Sequence, residues 1–252
     1  MLLAVPGLCS AQVWRHWQFG DGLYEAFTRR LARDSQGRLL AVHGNVDKFS
    51  ALDGYSIVHL PAPIVSDVGL QSGPDGSIWS AHTGGIQRFV NGAWTDIAVP
   101  DPVRARVRSM VVLTARAIVL GYPDRAALFD PVEGRYQTIL TREQTAIGRF
   151  TRMSRRTQGG IWISGDRGLA AVAVDTNGEV RVLSDAVIPP PEYENFGRIT
   201  DMAGGPVLAP ATRKADKHAV LLRFGNGRWS EVYRSSGPHT TVKAAWLAFG
   251  KE

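Results

Sequence analysis

Apolar runs and glycine-bearing turns follow one another along this chain in a fixed order. The clearest unit reads Gly76-Ser77-Ile78-Trp79, then Gly84-Gly85-Ile86-Gln87-Arg88-Phe89, then Asn91-Gly92-Ala93-Trp94-Thr95-Asp96-Ile97. That order predicts an apolar strand, a turn, a strand ending at Phe89, a hairpin turn and a final strand. Asn-Gly supplies the two positive φ angles of a type I′ turn, which suits a right-twisted hairpin.

The unit recurs. Asp34-Ser35-Gln36-Gly37-Arg38-Leu39-Leu40 precedes Lys48-Phe49 and the turn Asp53-Gly54. Ile118-Val119 precedes Leu128-Phe129 and Glu133-Gly134. Gly159-Gly160-Ile161-Trp162 leads to Gly168-Leu169 and Asn177-Gly178, and Val207-Leu208 leads to Arg223-Phe224 and Asn226-Gly227. Positions equivalent to the tryptophan (40, 79, 119, 162 and 208) lie 39 to 46 residues apart, and the hairpin glycines (54, 92, 134, 178 and 227) 38 to 49 apart. Two independent markers with a period of forty-odd residues and four strands per unit match propeller blades. The expected fold is therefore all-β: a β-propeller of four-stranded blades, with five complete blades at about 24–61, 62–100, 101–141, 142–187 and 188–236. Partial blade strands are expected at 12–20 and 237–252, so the count predicts an incomplete ring and a fragment of a longer protein.

Composition narrows the class. Among 252 residues, 44% are hydrophobic and 21% charged, as in soluble globular proteins, and 27 glycines with 14 prolines suit a turn-rich β fold. The net charge is +6 and arginines far outnumber lysines. They are dispersed, however, and in Val103-Arg104-Ala105-Arg106-Val107-Arg108 they alternate with small apolar residues. That reads as one solvated strand face, and no nucleic-acid motif accompanies it. Residues 1–11, with the single cysteine Cys9, resemble the apolar end and cleavage site of an export signal whose charged leader is missing, which predicts a start further upstream or a clipped chain. No later stretch approaches the roughly twenty apolar residues that span a bilayer.

At Asp21-Gly22-Leu23, Asp34-x-x-Gly37, Gly76-x-Ile78-Trp79, Gly84-Gly85-Ile86-x-Arg88-Phe89 and Gly159-x-Ile161-Trp162 with Gly168-Leu169, the sequence resembles the two-component regulator propeller repeat. The likeness runs from about residue 14 to the end. It departs after the tryptophans, where Ser80-Ala81 and Ile163-Ser164 stand in place of the repeat's usual Gly-Thr. The resemblance implies the periplasmic sensor region of a signalling protein, without catalysis of its own and joined to the membrane and to an output domain only through segments downstream. It also implies dimerisation through the full-length sensor. A stand-alone periplasmic propeller enzyme of lyase or lactonase type, or a pure interaction scaffold, are the alternatives.

No metal-ligand spacing, nucleophile elbow, phosphate loop or Cys-x-x-Cys is present, and no cofactor is expected. His43 and His82, three residues after their tryptophan-equivalent positions, are weighed as axial ligands against simple strand-end histidines. Trp79 and Trp162 read as packing between blades rather than as sugar platforms. Loops that lead into inner strands surround one mouth of a propeller channel, and ligands meet the protein there. Arg104, Arg106, Arg149, Arg152 and Arg198 lie in those loops. Converging guanidinium groups grip a carboxylate bidentately, so the expected partner is a small organic anion or an acidic oligosaccharide, not a nucleic acid.

Overall fold

The computed structural model describes residues 19–25, 27–43, 48–61, 68, 70–82, 85–90, 92–100, 107–174, 180–183, 189–201 and 206–238. Residues 1–11 with Cys9, Arg104, Arg106 and most of the proposed terminal strands lie outside them. Five antiparallel sheets follow one another along the chain. The first contains β1 (Thr28–Arg33), β2 (Leu39–His43), β3 (Lys48–Leu52) and β4 (Ile57–Pro61). The second contains β5 (Gln71–Ser72), β6 (Ile78–His82), β7 (Gly85–Val90) and β8 (Ala93–Ala98). The third contains β9 (Ser109–Thr114), β10 (Ala117–Gly121), β11 (Arg125–Asp130) and β12 (Arg135–Thr141). The fourth contains β13 (Phe150–Arg155), β14 (Ile161–Gly165), β15 (Leu169–Val174) and β16 (Val180–Leu183). In the fifth, β17 (Tyr193–Glu194) and β18 (Thr200–Asp201) both pair with β19 (Val207–Arg213), which is followed by β20 (His218–Gly225) and β21 (Arg228–Pro238).

First strands touch in sequence: β1 meets β5, β5 meets β9, β9 meets β13, and β13 meets β18. The sheets thus stand around a common axis with their first strands innermost, and the fold is a β-propeller. Period-two side-chain direction explains the core. On β6, Ile78 packs toward the first sheet with Leu40 and Phe49, while its neighbour Trp79 packs toward the third with Met110 and Ile118. On β14, Ile161 and Ile163 face the third sheet, whereas Trp162 faces the fifth with Phe196 and Ala209. Strands such as β14 are buried along their whole length, so they read as unbroken apolar runs, while the outer strand β8 is mostly exposed.

On the face of the first sheet turned away from the second, the short segment 22–24 lies across the strands. Leu23 packs on Ala41 and Leu52, the Tyr24 amide donates to Ser50 Oγ at 3.3 Å, and a ring nitrogen of His59 meets the Gly22 carbonyl at 2.8 Å.

Turns require glycine where the backbone turns left-handed against a neighbour. Gly76 has φ +75°, and a Cβ there would sit 2.7 Å from the Ser35 backbone nitrogen. Gly54 has φ +99° with nothing within 4 Å. Gly54→Ala is therefore expected to cost only backbone strain, about 1–2 kcal/mol, and Gly76→Ala about 2–3 kcal/mol because overpacking between two blades adds to that strain. Chemical denaturation of both variants checks the difference; equal losses would contradict the close approach.

Candidate arginine-lined channel mouth

The site forms where inner strands begin. Ser109 and Met110 at the start of β9, Arg152 and Met153 on β13, Arg108, Arg198, Val68 and Gln71 enclose a cavity of about 50 Å³. A single water needs roughly 10–15 Å³ by the same kind of measure, so the space suits a few waters or the head of a carboxylate, with the body of a ligand outside.

Arg152 owes its direction to a bulge. Register shifts between Phe150 and Arg152, so Thr151 has no partner across the ladder. Phe150 and Met153, three residues apart, consequently both reach the core shared with the third sheet, and a bulge re-aims the side chain beside it. Thr151 Oγ1 donates to the Phe196 carbonyl at 2.7 Å, and the Met153 amide donates to Ser109 Oγ at 2.9 Å, which fixes this strand to both neighbours.

Arg198 is placed by an interruption. Asn195 turns left-handed (φ 54°), and the chain leaves the ladder between β17 and β18. Phe196 and Ile199 are buried against the fourth sheet, the Gly197 amide donates to the Pro210 carbonyl at 2.8 Å, and Ser164 Oγ donates to the Gly197 carbonyl at 2.6 Å. Arg198 remains exposed to solvent while lying deep among protein atoms, as a channel-lining residue does. That crowding, followed by the positive charge of Arg152, holds its guanidinium pKa below the ordinary value. Among the described residues no carboxylate pairs with Arg152 or Arg198, and none lines the cavity.

The structure thus brings Arg152 and Arg198 together and adds Arg108, the end of the alternating run 103–108. Arg149 does not line the cavity; it lies 3.5 Å from Asp166, in the turn after β14. Arg104 and Arg106 lie outside the described residues. The two histidines have separate environments. His82 stands 3.3 Å from Asp96. His43 is buried, with Nε2 at 2.8 Å from Ser50 Oγ. No group of three metal-ligating side chains occurs among the described residues.

Burial holds the His43 pKa below the usual 6.5, Glu25 opposes that shift, and His59 adds to it. Lys48, on the neighbouring β3, brings a further positive charge to this end of the first sheet. A folded pKa below the unfolded value means that stability is complete above about pH 6.5 and is lost as pH falls from there toward the folded pKa. Urea midpoints measured between pH 7.5 and 5 are expected to fall across that window, with a flatter profile in His43→Gln. An identical slope in both proteins would assign the loss elsewhere.

No family model matches the chain, and no curated protein matches it. Solved structures do. A virginiamycin B lyase from Staphylococcus aureus aligns at TM-score 0.57 and 17% identity, over 82% of this chain and 69% of that one. A protein described as a putative gluconolactonase aligns at TM-score 0.56 and 12% identity, over 86% and 80%. The extracellular domain of a putative hybrid two-component system from B. thetaiotaomicron aligns at TM-score 0.54 and 13% identity, over 86% of this chain but only 31% of that chain. At such identities the likeness is one of fold. Enzymes and extracellular sensor domains both stand among the similar structures.

Proposed function

We propose that this propeller is the ligand-sensing part of an extracytoplasmic signalling protein, and that it binds a small organic anion at the Arg108–Arg152–Arg198 mouth without transforming it. The observation that carries this reading is the pairing of Arg152 with Arg198 on one cavity, with no carboxylate between them among the described residues. Two like charges held together are each stabilised when an anion arrives, and planar guanidinium groups bind carboxylates with directional, charge-assisted hydrogen bonds. The export-like residues 1–11 and the likeness in fold to extracellular sensor domains support the extracytoplasmic and signalling parts.

The likeness to a lyase and to a putative gluconolactonase keeps a second reading in view. A lyase or lactonase needs a group that moves a proton at the mouth. The described lining supplies arginine, glutamine, serine and methionine, which bind but are poor acids and bases near neutral pH.

Thermal denaturation with citrate, glucuronate or glucose separates the readings. At about one hundred times its dissociation constant, a ligand stabilises the folded state by about 2.7 kcal/mol. Citrate or glucuronate is expected to raise the melting temperature and neutral glucose to leave it unchanged. No anion effect, or an equal effect of glucose, contradicts the anion site. Protein-dependent conversion of added glucuronolactone, followed by NMR, would establish the enzymatic reading instead.

A further inference from the structure

A second cavity opens between the first and second sheets, at the far ends of the inner strands from the arginine mouth. It lies where the turn after β1, the turn after β5 and the hairpin after β7 meet, and its volume is about 350 Å³. That is within the range of roughly 300–1,000 Å³ usual for small-molecule sites. We propose that this cleft binds a small zwitterion of the amino-acid type, with an apolar side chain.

The polar lining offers both signs of charge, and the hydrogen bonds show which groups remain available. Asp34 is fully engaged. Its Oδ1 accepts from the amides of Gln36 and Arg38, its Oδ2 accepts from Arg38 Nε at 2.8 Å, and its side chain is only 7% exposed. It shapes the turn and leaves the terminal guanidinium nitrogens of Arg38 for a ligand. Asp75 is hydrogen-bonded through one oxygen, and its other oxygen makes only a long ion pair with Arg88. Oδ1 accepts from the Ser77 amide and hydroxyl, whereas Oδ2 lies 3.6 Å from Arg88 Nη2, beyond hydrogen-bond length. Arg88 lies over the Trp79 ring, 5.2 Å from its centroid, and its Nε is buried without a partner. A stacked guanidinium has little freedom to swing away, so its remaining donors are held at the cleft.

Two arginines and two aspartates make the lining formally neutral. A simple anion would meet the charge of Asp75, and a simple cation would meet Arg38 and Arg88. A molecule carrying both an ammonium and a carboxylate satisfies all three: the carboxylate takes guanidinium donors, and the ammonium donates to Asp75 Oδ2. Leu60, Phe89 and Val90 line the same cleft and give an apolar side chain a surface to cover. The contact between Gly76 and Ser35 fixes the two turns against each other, so the walls are in place before a ligand arrives.

Calorimetric titration of the full chain tests this with L-leucine, with 3-methylbutylamine (leucine lacking its carboxylate) and with 4-methylpentanoate (leucine lacking its ammonium). Leucine is expected to bind saturably and each analogue at least about tenfold more weakly, since each lacks one charge-assisted interaction. Asp75→Asn keeps an oxygen acceptor for the turn at Ser77 while removing the charge. It should remain folded, with at most a modest fall in melting temperature, and bind leucine at least about tenfold more weakly. Absence of saturable leucine binding, equal binding of either analogue, or unchanged leucine affinity in a folded Asp75→Asn protein would each overturn the proposal.

Discussion

Trp79→Ala is expected to destabilise the propeller by about 3–5 kcal/mol, the usual range for deleting a buried large aromatic. Trp79 is 1% exposed and belongs to the cluster in which β6 of the second sheet meets Met110, Ile118 and Leu120 of the third. Removing the indole leaves a void between two sheets whose positions are fixed by other contacts, so the site has little means of collapsing. Nε1 also donates to Ser77 Oγ at 2.7 Å, beside the turn acid Asp75, and Arg88 loses the ring that it covers. For a chain of this size the loss corresponds to a fall of roughly 6–20 °C in melting temperature. Trp94→Ala is the comparison. Trp94 is half-buried on β8 and packs edge-on against Phe49, so less than half that loss is expected. Scanning calorimetry of both variants checks the ranking. A Trp79→Ala protein that melts like the wild type would mean that Trp79 is not a core residue.

This same tryptophan explains why the fold was legible in the sequence. A blade is covered on both faces by its neighbours, so its central strands become short apolar runs at fixed intervals. Ile78-Trp79, Val119 and Ile161-Trp162 marked those runs. Positive-φ turns at Gly54, Gly92, Gly134 and Gly227 marked the hairpins that follow, because a side chain is strained there. The divided first strand of the fifth sheet was not legible. Phe196 and Ile199 are three residues apart, which fits neither a strand nor a helix clearly. What resolves them is tertiary: Ser164 and Thr151 of the adjacent sheet take over hydrogen bonding to the carbonyls that leave the ladder. Asn195, a residue type tolerant of left-handed backbone, was the single local sign.

The candidate sites divide in the same way. The expectation that the candidate arginines lie in loops before inner strands holds for Arg149, whereas Arg152 lies within β13 and Arg198 in the gap between β17 and β18. Which of them share a cavity depends on a bulge at Thr151 and on an acid, Asp166, that captures Arg149. Neither event leaves a pattern in the spacing of arginines. The inter-blade cleft was less accessible still. Asp34 and Asp75 belong to turns forty-one residues apart, and only the packing of one blade on the next turns two ordinary turn acids, a turn arginine and a strand arginine into one lining.

The strongest test of the mouth is a variant that improves the protein while disabling it. Arg198→Gln removes a positive charge that faces Arg152 and has no acidic partner among the described residues, in surroundings that already disfavour the charged form. The unliganded fold is expected to gain up to about 1 kcal/mol, the scale of solvent-screened charge pairs, and the gain should shrink in high salt. Affinity for citrate should fall about 10- to 100-fold, because a hydrogen bond to a charged group contributes about 1.5–3 kcal/mol. Arg152→Gln should behave alike. The double variant should lose at least about 100-fold, with the two changes non-additive because both guanidiniums contact one anion. Arg149→Gln, which changes a pair already closed by Asp166, should leave affinity within about twofold. Opposite signs for stability and binding at one residue distinguish an anion site from a structural arginine. A structural arginine would lose stability on substitution, and a drop in the melting temperature of unliganded Arg198→Gln would therefore remove the basis for an anion at this mouth.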